Sequence, residues 1–230
     1  MTSAPTLRGI TPADTDVRLD EQRFIDAVLN LQQTTPTSTD SELAWRQLLT
    51  IAYDLCFTSL HDRRTGRDTP KHDPTTQFIH AVLGDTSNTR MTEHGLASLH
   101  EVLLERIPRY DSNGMLHAEA EDRKRRQDTG AFYTPTPVVN AILDRALDPL
   151  LDRAEAEADP LHALLALRVC DPACGTGHFL AQAGERIAHR AASHVASRDR
   201  QHVCSHVMRN CLHGAELDSL SAHVCKRRLW

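Results

Sequence analysis

The stretch Asp171–Leu180, DPACGTGHFL, limits the possible folds of this chain more sharply than any other part of it. The short apolar run Leu167-Arg-Val-Cys170 precedes it and reads as a strand. Phe179, Leu180, Ala183, Ile187 and Ala191 follow at helical spacing. A strand that passes through Asp-Pro and two glycines into a helix makes a ligand cradle. Glycine lets the backbone approach a ligand with no Cβ in the way, and the helix start offers free N–H groups and the positive end of a dipole.

Three ligand classes compete for such a cradle. A P-loop needs Gly-Lys-Ser/Thr after a four-residue gap, and no such lysine is present. A dinucleotide fingerprint needs G-x-G-x-x-G. Gly175 and Gly177 match it, but the third position is Leu180. S-adenosylmethionine carries no pyrophosphate, so it needs no long phosphate loop. It carries an ammonium, a carboxylate and a ribose diol. An acid at the end of the first strand suits the amine, and an acid at the end of the second suits the diol. Asp171 and Glu216 hold those two places, the second at the end of an expected strand Leu212–Leu217.

Ahead of this turn the pattern is helical. Phe24, Ile25, Val28 and Leu29 mark a helix within Glu21–Gln33, and Thr39-Asp-Ser-Glu42 reads as a capping box. Trp45, Leu48, Leu49, Ala52, Cys56 and Leu60 share one face of the next helix, with a loop expected from His61 to Pro74. Gln77–Leu83 is a short helix. Leu96, Leu99, Leu103 and Ile107 mark another, running to Pro108, so the first 110 residues are expected to be all helical. Further on, Thr136 suits an N-cap and Pro137 the first helical turn. Val138, Ile142, Ala146 and Leu150 then form the expected apolar face. A short helix after Asp159-Pro160 leads into the first strand. A helix near His202–Asn210 feeds the second strand, and a last helix starts at Ser219.

Composition bounds the rest. Hydrophobic residues make up 40% and charged residues 25%, as in a packed soluble protein. Aromatics are only 4%, so the core rests on aliphatic side chains. The net charge of −5 argues against binding nucleic acid by overall electrostatics, so any DNA-gripping surface is local or lies elsewhere. Arg123-Lys-Arg-Arg126 is a candidate phosphate contact or a solvated face. The six cysteines form no C-x-x-C pair and read as reduced thiols, mostly core fillers. His202 and His206 have a metal-ligand spacing but imply no third ligand, so no metal is expected. The N-terminus shows no signal-peptide pattern and no apolar run nears the roughly 18 residues of a membrane span, so a cytoplasmic protein is expected, with no membrane partner.

TGAFYTP (Thr129–Pro135), DPACGTGHFL and GAELD (Gly214–Asp218), in that order, resemble motifs X, I and II of bacterial N6-adenine DNA methyltransferases. The nearest likeness is to the large modification and restriction–modification proteins of phage defence, and it covers about Leu96 to Trp230. The resemblance implies an α/β chain: a helical N-terminal region over 1–120, then over 121–230 the first part of a class I, Rossmann-like methyltransferase domain with an incomplete sheet. It implies S-adenosylmethionine as cofactor and DNA as partner, with in-line methyl transfer to adenine N6. Phe132, Tyr133, Thr134 and Pro135 would lie over the cofactor. Asp171, Ala173, Gly175 and Gly177 would hold its methionine part. Glu216 would accept from the ribose hydroxyls, and Leu217 or Asp218 would border the adenine.

The family holds the flipped base with an Asn/Asp-Pro-Pro-aromatic motif. The Asp-Pro pairs at 73, 148, 159 and 171 do not continue in that way, so the motif is absent from these residues. No residue of this chain is therefore assigned as catalytic. The expectation is the N-terminal portion of a methyltransferase, inactive unless a second chain brings the catalytic motif and a target-recognition domain. A non-catalytic binding module and a decayed gene fragment are the alternatives.

Overall fold

The structure is a computed structural model, and it describes residues 19–65, 74–83, 92–104, 106–120 and 134–229. The front half is built on α1 (Glu21–Leu31), α2 (Ser41–Thr65), α3 (Pro74–Leu83) and α4 (Glu93–Leu103). Asp20 caps α1 by accepting from the Arg23 N–H, and Thr92 caps α4 through the Gly95 N–H. The cap of α2 is Asp40 rather than Thr39: its carboxylate accepts from the Leu43 N–H at 2.8 Å. This helix also runs past His61, which the sequence places in a loop. Phe24 sits between Tyr53 and Phe78, with ring centroids 5.7 and 6.0 Å away.

The front is not all helical. Helix α4 stops at Leu103, and Arg106–Tyr110 (β1) pairs antiparallel with Leu116–Ala120 (β2), Ile107 opposite Glu119. Between them Asp111 accepts from the Asn113 and Met115 N–H groups, and Gly114 takes a positive φ of 75°. Ile107 falls in phase with the apolar row of α4, so helical periodicity carries on by coincidence into a strand.

Further along the chain come α5 (Thr136–Ala146), α6 (Asp148–Glu155) and α7 (Pro160–Leu165). Two apolar rows lie side by side on α5 and α6. The core takes Val139, Leu143, Leu147 and Leu151, and leaves Val138, Ile142 and Leu150 exposed, so the expected face is off by one residue. Strand β3 (Val169–Asp171) pairs in parallel with β4 (Leu212–Gly214), Asp171 opposite Gly214. They are joined through α8 (His178–Ala192) and α9 (Arg200–Asn210), and α10 (Ser219–Leu229) follows. Strand β4 is shorter than Leu212–Leu217, although Ala215 still bonds across to Asp171 and Cys174 at 3.0 Å.

Among the described residues, buried apolar side chains form two clusters. One gathers residues of α1 to β2, and the other residues of α5 to β4. Helix α10 joins them: Leu220 and Val224 belong to the first cluster and Cys225 to the second. The fold is mixed α/β, mostly helical, with two small sheets among the described residues. No described helix is long and apolar enough to cross a membrane.

Candidate cofactor site

The site lies at the C-terminal ends of β3 and β4, where ligands bind in parallel sheets. The Asp171 carboxylate accepts from the Ala173 N–H at 3.1 Å, which folds Pro172 and Ala173 outward, both exposed. The Cys174 N–H donates to the Ala215 carbonyl and ties the turn to the residue after β4. The Gly175 N–H donates to Glu216 Oε2 at 2.8 Å. Asp171 thus stands at the end of β3 and Glu216 two residues past the end of β4, with the turn bonded to both.

The two glycines have different reasons to be there. Gly175 has φ +51° and nothing within 4 Å of where a Cβ would point, so the turn opens into free space. Gly177 has φ +77°, and a Cβ there would come within 2.5 Å of Cys225 Sγ. Gly177 therefore makes room for α10, and its own N–H is used within the turn, donating to the Cys174 carbonyl at 2.8 Å. Helix α8 then starts at His178 with no side-chain cap. The positive end of its dipole faces the turn.

Thr134 and Pro135 are exposed and lead directly into α5. Phe132 and Tyr133 lie outside the described residues, as does Arg123–Arg126. Thr136 is not the N-cap. Pro135 is, and the Thr136 hydroxyl meets His178 Nε2 at 3.3 Å. His178 Nδ1 faces Arg228 Nη2 at 3.1 Å. A guanidinium only donates, so Nδ1 accepts, and the imidazole proton on Nε2 is given to Thr136. His178 thereby links the start of α5 to the glycine turn.

A family model for N-6 DNA methylase matches residues 114–229. The chain belongs to the N-6 DNA methylase family. Membership implies a Rossmann-like fold and S-adenosylmethionine-dependent methylation of DNA. The matched segment contains β3, β4 and the whole glycine turn. No curated protein and no solved structure gives a match.

Several groups around the glycine turn have settled structural roles. Leu217 is fully exposed beside Glu216, whereas the Asp218 carboxylate is occupied. Asp218 caps α10 through the Ser221 N–H at 2.7 Å and pairs with Arg46 of α2 at 2.6 Å. Burial alone would raise its pKa, but the Ser221 and Arg46 hydrogen bonds outweigh that and hold it below the ordinary carboxylate value. The Cys174 and Cys225 sulfurs sit 3.9 Å apart in the core. Burial pushes Cys225 up to about 12, so it packs as a thiol. His202 and His206 are both exposed on α9. A shallow apolar depression of about 500 Å³ lies along α5 over Val138 and Ile142, and none of its lining residues belongs to the glycine turn.

Sequence reasoning missed a buried chain of polar side chains behind the site. Tyr53 Oη lies 3.1 Å from His100 Nδ1, and His100 Nε2 lies 3.0 Å from Ser221 Oγ. Burial lowers the His100 pKa to about 4. The one clue in the sequence is that His100 follows Leu96 by four residues, on the apolar side of α4.

Proposed function

We propose that residues 121–230 form the cofactor-binding part of an adenine-specific N6 DNA methyltransferase, with residues 1–120 as a front unit docked against it. The observation that carries this reading is the placement of Asp171 at the end of β3 and of Glu216 two residues past the adjacent parallel β4, flanking a turn that opens into free space at Gly175. The residues present suit S-adenosylmethionine. When bound, this cofactor supplies an electrophilic methyl group on a sulfonium sulfur.

Asp171 would hold the ammonium of the methionine part, and the dipole at the start of α8 would favour its carboxylate. Ala173 and Gly175 let the backbone come close, and Gly177 sets the bend that begins α8. Each Glu216 oxygen accepts one backbone N–H, from Gly175 and from Asp218. A carboxylate has about four acceptor positions, so two are left for the ribose hydroxyls. Thr134 and Pro135, just ahead of α5, would cover the cofactor, and the resemblance assigns Phe132 and Tyr133 the same role. The contribution of these residues is positioning.

The group that orients the target amine is an Asn/Asp-Pro-Pro-aromatic element, which these 230 residues do not contain. It has to come from residues outside them, in the same polypeptide or another, together with contacts that choose the DNA sequence. The 230 residues by themselves are expected to bind cofactor without transferring the methyl group.

Calorimetric titration of S-adenosylmethionine into these residues tests the reading. One site is expected, and Asp171→Asn and Glu216→Gln should each weaken binding by about tenfold, the scale of a hydrogen bond to a charged group. A folded wild-type protein that gives no binding heat at any temperature tried, and no ligand-dependent rise in Tm, would sink it.

A further inference from the structure

Glu216 is held from behind. Its Oε1 accepts from the Asp218 N–H at 2.9 Å, so the backbone of Asp218 sets the direction in which the carboxylate faces. The place of Asp218 is fixed by its own side chain. Oδ1 takes Arg46 Nη1 at 2.6 Å, and Oδ2 takes the Ser221 hydroxyl at 2.7 Å. Arg46 is steadied in turn by Glu42 at 3.2 Å.

The direction of every proton in this chain follows from its end. A carboxylate only accepts, so the Ser221 hydroxyl donates to Asp218. Ser221 has one proton, so it accepts from His100 Nε2–H. The neutral imidazole then has a bare Nδ1, which accepts the Tyr53 O–H. Tyr53 and His100 are fully buried. A reversed link would leave a buried donor or acceptor unmatched, so the chain has one low-energy arrangement. Arg46 and Tyr53 come from α2 and His100 from α4, whereas Ser221 and Asp218 stand at the start of α10.

We propose that Arg46 and the Tyr53–His100–Ser221 chain are positioning residues for Glu216: by clamping Asp218, the front unit aims the carboxylate that reads the ribose of the cofactor. The inference rests on the reading of Glu216 as ribose acceptor given above. The Asp218 carbonyl stays tied to α10 through the Ala222 N–H, but loss of the clamp lets the residue swing, its N–H leaves Glu216 Oε1, and the two remaining acceptor positions no longer face one diol together. A role in stability alone would loosen α10 without changing which part of the cofactor is recognised.

The readout is the ratio of two affinities in the 230-residue protein, those of S-adenosylhomocysteine and of its 2′,3′-dideoxyribose analogue. The wild-type protein should prefer the diol by about tenfold or more. Arg46→Met should shrink that preference roughly three- to fivefold, and Arg46→Lys should restore most of it. Ser221→Ala, which removes the hydroxyl bond to Asp218 and leaves the Ser221 N–H cap and Arg46 in place, should act in the same direction and guards against misfolding of either variant. A wild-type preference kept in both Arg46→Met and Ser221→Ala overturns the positioning role while the Glu216 assignment stands. A wild-type ratio near one overturns that assignment and the positioning role with it.

Discussion

Replacing each glycine of the turn by alanine should separate its two jobs. Both residues have positive φ, +51° at Gly175 and +77° at Gly177, so either alanine carries a backbone cost of about 1–2 kcal/mol. At Gly175 the new methyl enters open space and the cost ends there. At Gly177 it lands 2.5 Å from Cys225 Sγ, far inside contact distance, and α8 or α10 has to move. Overpacking of that kind adds about 1–3 kcal/mol. Gly177→Ala should therefore lose roughly 2–5 kcal/mol in urea denaturation, against about 1–2 for Gly175→Ala. The cycle with Cys225→Ala should return a coupling of about 1–3 kcal/mol, because removing the sulfur removes the overlap. Cofactor binding should show the opposite order per unit of lost stability. Gly175→Ala should weaken it by more than about tenfold with the fold intact, since its methyl occupies the space assigned to ligand. Equal destabilisation by the two alanines, or wild-type affinity in Gly175→Ala, would refute the division of roles.

Burial holds the His100 pKa down from the ordinary 6.5 to about 4. The unfolded chain takes up that proton near pH 6.5 and the folded chain resists until about pH 4, so acid favours unfolding within that window. The loss should be about 2 kcal/mol between pH 7 and pH 5, measured by urea denaturation, and smaller in His100→Gln; an equal loss in both proteins would contradict the assignment. On α5, Leu143 is 2% exposed and Ile142 is 44% exposed. Leu143→Ala should cost about 2–5 kcal/mol and Ile142→Ala under about 1; the reverse order would restore the face that the sequence pattern favours.

What could be read from the sequence was local. The glycine turn, the helix after it and both strand positions were legible, because Asp-Pro, the glycines and the 3–4 spacing of Leu180, Ala183 and Ile187 act within a few residues of one another. The β1–β2 hairpin was hidden because Ile107 continues the Leu96–Leu103 row, although Asp111-Ser-Asn-Gly114 carries the turn chemistry that betrays it. The face of α5 was ambiguous, since Val138 and Val139 each begin an apolar row with four-residue steps. Only packing against α8 decides between them. The hydrogen-bond chain behind Glu216 joins residues 47 and 121 positions apart, which no local pattern can bring together. Arg46 and Asp218 are farther apart still, and their pairing becomes visible only once α10 lies across α2.

Hydrogen exchange of the 230-residue protein with and without S-adenosylhomocysteine tests the central claim most directly. The account predicts slowed exchange over Asp171–Leu180 and Gly214–Asp218, with no change along the exposed face of α5. Binding that protects α5 instead, or that leaves both strand ends unprotected at saturation, would contradict it.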